Sequence, residues 1–144
     1  ADGAVEEKEL DSMVLWNILY CRHRQLSDGR LNSEEFGKVR EVLEQCEGLA
    51  FSRQRCLLGA SLGLVAPDRE RALGVLAPIL DERELPPGAP LDMVISARAS
   101  LEDDGSEERE KWEERAVVAV EQRAARIQRA SDRRRFLNAR LGRI

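Results

Sequence analysis

The chain has 144 residues, 42% of them hydrophobic, which is enough for one modest core and too little for two. Charged residues make up 35% and aromatics 4%, with Ala, Leu, Glu and Arg prominent, a composition that favours helical surfaces over a sandwich or barrel. The net charge of −4 excludes a uniformly basic nucleic-acid binder, and no apolar run reaches the roughly 18–20 residues of a membrane span.

Residues 4–25 read as a first helix, with Leu10, Met13, Val14, Ile18 and Cys21 on one stripe and Trp16, Leu19 and Tyr20 widening it. A stripe that broad predicts a largely buried helix. Ser27-Asp28-Gly29 signals a turn, and Asn32 followed three residues later by Glu35 is a capping box that starts a second helix near Ser33. Phe36, Val39, Leu43 and Cys46 give that helix one apolar face, and Gly48 ends it. A third helix over residues 51–64 sets Cys56, Leu58, Leu62 and Leu64 among Gly59, Ser61 and Gly63, small residues that allow close helix contact. Pro67, Asp68 and Glu70 open a fourth helix carrying Ala72, Leu73, Leu76 and Ile79, which Pro78 is expected to kink or end. After a stiff loop over Glu84–Pro90, Leu91, Val94, Ile95 and Leu101 mark a short fifth helix. Residues 4–101 therefore form an all-α bundle of two hairpins and a closing helix.

Beyond the acidic stretch Glu102–Ser106, no Gly or Pro interrupts the chain from Glu107 to Leu141, so residues 106–141 read as one long charged helix. At 1.5 Å per residue it would reach about 50 Å, so it either extends from the bundle or packs back on it. Trp112, Ala116, Val120, Ile127, Ala130, Leu137, Leu141 and Ile144 form a thin seam, with Arg123 and Arg134 where a coiled coil would place apolar residues. Pairing of two copies through this seam and an unpaired helix both fit. From Glu102 to Arg115 eight acidic residues face three basic ones, whereas eight arginines lie between Glu121 and Ile144, so the helix is acidic first and basic last. Its arginines suit an acidic partner protein or an anionic membrane surface. Nucleic acid is disfavoured because Phe136 is the only aromatic there for base stacking. Trp112, Arg126, Arg133 and Phe136 are the candidate partner-binding residues.

Nothing in the sequence points to catalysis, a metal or a cofactor. His23 is the single histidine, no nucleophile motif or phosphate loop occurs, and Cys21 and His23, two apart on a helix, face different sides. Cys46 and Cys56 could pair in an oxidising compartment or remain small core residues.

Three stretches resemble known families. Asp28-Gly29-Arg30-Leu31-Asn32-Ser33-Glu34-Glu35-Phe36 resembles the second half of an EF-hand loop, with Glu35 at the bidentate position, but Arg24 and Leu26 stand where the family places its first oxygen ligands. Leu57-Leu58-Gly59-Ala60 followed by Arg71-Ala72-Leu73 resembles one tetratricopeptide helical pair, without a second copy at the family's period. The overall order of a Trp- and Tyr-bearing helix, a short capped helix, a Leu-rich hairpin and a charged final helix is similar to bacterial α-helical envelope lipoproteins associated with two-component sensor kinases. That resemblance implies a lipidated cysteine ahead of Ala1, a periplasmic or outer-membrane location, and a sensor kinase as partner. The functional expectation is a non-catalytic protein-binding adaptor. Its alternative is a cytoplasmic regulator that uses the arginine-rich helix on an acidic partner or nucleic acid.

Overall fold

The structure, a computed structural model, describes residues 7–86 and 88–142 and is all-helical among them. The elements are α1 (Glu7–Leu26), α2 (Ser33–Glu44), a single 3-10 turn (Leu49–Phe51), α3 (Ser52–Val65), α4 (Arg69–Leu80), α5 (Leu91–Ala99), α6 (Glu107–Ala124) and α7 (Ala130–Leu141). Residues 4–6 of the expected first helix, Pro87 of the stiff loop, and Arg143 and Ile144 at the end of the seam lie outside the described residues.

Local chemistry sets the starts of α2, α4 and α6. At α2 the Asn32 side chain accepts from the Glu35 N–H at 2.8 Å, and the Asn32 N–H donates back to Glu35 Oε1 at 3.0 Å, completing the capping box. Asp68 caps α4 by accepting from the Arg71 N–H, and Ser106 caps α6 by accepting from the Arg109 N–H. Pro78 does not end α4 at once. The helix runs two residues further, to Leu80, and Gly74, the residue whose carbonyl the proline leaves without an intrahelical donor, is exposed to water.

Helix α3 is the centre of the bundle and packs against α1, α2, α4 and α5. One side of it, through Leu58, Leu62 and Val65, joins Leu10, Val14 and Cys21 of α1 and Phe36, Val39 and Val42 of α2. The other, through Cys56 and Ala60, joins Leu76 and Ile79 of α4 and Val94 and Ala97 of α5. Gly59 and Gly63, one turn apart, let α4 approach closely. A methyl group at Gly59 would overlap Ile79 Cδ1, and one at Gly63 would lie 2.9 Å from Leu76 Cδ2. The loop between α1 and α2 is latched to the end of α3, where the Leu31 N–H donates to the Val65 carbonyl at 2.8 Å and Arg30 Nη1 to the Ala66 carbonyl at 3.2 Å.

Two expectations are corrected. The single helix expected over 106–141 is broken at Ala125–Arg129, and α7 folds back against α6. No glycine or proline causes the break. A straight continuation would leave Ile127, Phe136 and Leu137 in water, whereas the reversal half-buries all three and lets the Arg133 side chain hydrogen-bond the Ile127 carbonyl at the turn. The second correction concerns α1, expected to be largely buried. Leu10, Val14 and Cys21 are buried against the bundle, but Leu15, Trp16, Leu19 and Leu26 on the other side stand in water, because no element of the described chain packs over them.

The α3–α4 contact predicts opposite outcomes for two glycines of one hairpin. Gly63→Val should lower unfolding free energy by about 2 kcal/mol through overpacking against Leu76. Gly74→Ala, where a methyl group meets open space, should raise it by about 0.5–1 kcal/mol through helix propensity. Urea denaturation of both variants measures the difference.

Candidate functional site

The outer face of α1 carries most of the exposed large apolar side chains among the described residues. Leu15 is 57% exposed, Trp16 74%, Leu19 52% and Leu26 87%. Leu15, Leu19 and Leu26 recur at offsets of four and seven, so they share one stripe, with Trp16 beside it. Elsewhere exposed apolar residues such as Val118 stand singly, which is ordinary for a protein surface. Each large apolar side chain kept in water forgoes about 1.5–3 kcal/mol of burial, so four along one helix is a costly arrangement for an isolated bundle. At its carboxyl-terminal end the stripe runs into an open groove of about 740 Å³, whose lining includes Arg22, Leu26, Leu64, Met93, Val120 and Arg140.

The rim of this face is held rigid by the EF-hand-like string. Tyr20 Oη and Arg24 both donate to Glu35, Arg24 Nη2 at 2.6 Å, and Arg24 Nη1 also reaches the Arg30 carbonyl at 3.1 Å. The guanidinium thus sits against the carboxylate that would be a calcium ligand in the resembling family. Hydrogen bonds from the Asn32 N–H, Tyr20 and Arg24 lower the Glu35 carboxyl to about 2 from an ordinary value of 4.5. Cys21 is buried and His23 exposed, so the two face opposite sides. Cys46 and Cys56 are free thiols in different parts of the core, and burial raises both to about 11.

The four residues singled out on the C-terminal segment do not form one open patch. Trp112 is half-buried, with the Arg98 guanidinium of α5 4.6 Å from its ring centre and Arg115 at 4.2 Å, which fastens α6 to α5. Phe136 lies half-buried between Arg123 at 4.9 Å and Arg140 at 5.8 Å. Arg133 donates Nε and Nη2 to the Ile127 carbonyl at 3.2 and 2.8 Å, which stabilises the α6–α7 turn. Arg126 alone of the four is exposed. Arg129, Arg134 and Arg135 are exposed too, so the α6–α7 turn and the start of α7 form a basic corner along the chain, and none of these four arginines has a carboxylate partner among the described residues. Arg123, an anomaly in the sequence seam, is explained by Asp92. Its Nη1 lies 2.6 Å from Asp92 Oδ1, a carboxylate only 3% exposed, so one arginine links α5, α6 and the Phe136 ring of α7.

Comparison with known proteins returned no match, neither a family, nor a curated protein, nor a solved structure. The envelope-lipoprotein and tetratricopeptide resemblances therefore rest on sequence pattern.

Two measurements follow from these contacts. Arg123→Ala should cost about 3 kcal/mol because it leaves the Asp92 carboxylate buried without its counter-charge, and Asp92→Leu with Arg123→Leu together should cost less than that single change in urea unfolding. Glu35→Gln should destabilise the protein at neutral pH. Because the folded carboxyl is lowered, its contribution is complete above the ordinary value of 4.5 and disappears as pH falls through about 2, so unfolding curves of the two proteins should converge in that window.

Proposed function

We propose that the protein is a non-catalytic interaction module that docks another protein chain on the outer face of α1. The observation that carries this reading is the line of Leu15, Trp16, Leu19 and Leu26, held in water on a helix whose opposite face is fixed into the core. Tryptophan and leucine in such a line supply the dehydrated centre of a helix-in-groove or helix-on-helix contact. Arg22 and Asp28 near the end of the stripe are exposed and can serve as its polar rim.

A second reading is supported by the arginine corner. Arg126, Arg129, Arg134 and Arg135 would bind an acidic protein surface, in line with the adaptor role that the sequence resemblance implies for an envelope protein acting on a sensor kinase. The two surfaces lie on different elements, α1 on one hand and the α6–α7 turn with α7 on the other, and can be tested apart.

A photo-crosslinking amino acid placed at position 16 or 19 in the full chain, in its native cells, should give a discrete protein adduct. The same residue at Val118 should not. Equal labelling from positions 16, 19 and 118, or none, would overturn the α1 reading, while an adduct arising only from position 126 or 134 would favour the arginine corner.

A further inference from the structure

The stripe on α1 is self-complementary, and we infer that its occupant is a second copy of this chain, packed antiparallel with α1 against α1. The inference rests on the docking reading above and names the partner. Positions 8, 15, 19 and 26, at steps of seven, four and seven, lie within about 20° of one line along the helix, the spacing of a helix-pairing seam, and carry Lys, Leu, Leu and Leu. The two central leucines bracket a midpoint at Asn17. A two-fold axis through that midpoint sets Leu15 of one copy against Leu19 of the other, twice.

Charge placement supports the antiparallel direction. Asp11 and Arg22 are eleven residues apart, about three helical turns, so they lie on the same flank of the seam. They sit about 9 and 7.5 Å along the axis from the midpoint, on opposite sides of it. An antiparallel two-fold keeps each flank on its own side and reverses direction, so Asp11 of each copy meets Arg22 of the other. Parallel pairing would instead carry this flank to the opposite side of the partner helix and leave Asp11 and Arg22 about 16 Å apart along the axis, so that neither would meet an opposite charge. Arg22 is exposed and forms no ion pair among the described residues, and Asp11, which accepts from Gln54 through Oδ1, keeps Oδ2 for the contact. Trp16 lies on the other flank near the axis, where the two indoles cover each other's exposed faces. The helix is about 30 Å long, sufficient for a small interface that forms in the micromolar range rather than an obligate one.

The experiment is light scattering and sedimentation of the full chain at about 100 µM, a concentration that populates a weak interface. Twice the 16.2 kDa chain mass is expected. Leu19→Glu should give a monomer. Asp11→Arg and Arg22→Asp should each weaken the dimer at least about tenfold by placing like charges opposite each other. An equimolar mixture of these two variants should recover it, since every cross-pair is then opposite in sign. All of these positions are exposed, and circular dichroism verifies that the folds are kept. A dimer indifferent to Leu19→Glu, or no recovery on mixing, would overturn the inference. A monomeric wild type with a position-16 adduct to a different protein would also overturn it while leaving the docking reading intact, and a monomer with no adduct would remove both.

Discussion

Close approach of α3 and α4 is the constraint on which the rest of the bundle depends. Gly59 and Gly63 leave no room for a methyl group, so Ile79 and Leu76 seat directly on the α3 backbone. With α4 drawn in, α3 can be buried on nearly every side, and its two apolar faces serve separate clusters, one with α1 and α2 and one with α4 and α5. The cost is that a single short helix organises everything. Once the inner face of α1 is fixed against Leu58, Leu62 and Val65, its outer face has no element left in the described chain to cover it.

The C-terminal helices are attached by a different kind of force. α6 buries only Ala116, Val120 and Ala124, and α7 buries nothing fully, so apolar area alone would hold them weakly. Arginines supply the remainder. Arg98 and Arg115 enclose Trp112, Arg123 joins the buried Asp92 to the Phe136 ring, and Arg133 closes the turn through the Ile127 carbonyl. Side chains that look like a binding surface in the sequence thus spend their planar faces and donors inside the fold, while Arg126, Arg129, Arg134 and Arg135 remain exposed at and just after the α6–α7 turn.

How much of this could be read in advance followed from the range of the interactions. The Asn32–Glu35 box is decided within three residues and was legible, whereas the fourth helix was legible only in outline: Pro67 reads as a first-turn residue, but Asp68 caps the helix, which begins at Arg69. The α3–α4 hairpin was legible too, because glycine spacing records a helix contact directly. The reversal at Ala125–Arg129 was not, since it lacks glycine and proline and is selected by burial of Ile127, Phe136 and Leu137 against distant residues. Nor was the exposure of Trp16. A helix that is apolar on both faces gives no periodic sign of which face the fold will cover, and only the position of α3 decides it. Of the four candidate residues, three are tied into the fold, and the only available signal for the α1 face was an apolar stripe too wide for one neighbour.

The most direct test of the account is the tryptophan emission of the Trp112→Phe chain, in which Trp16 is the only indole, recorded across a dilution series. The account predicts the emission of a water-exposed indole at high dilution and a blue shift as concentration rises and the face becomes covered. Blue-shifted emission at every concentration would mean that the chain buries its own α1 stripe and would contradict the fold described, and water-exposed emission throughout would contradict association through that face.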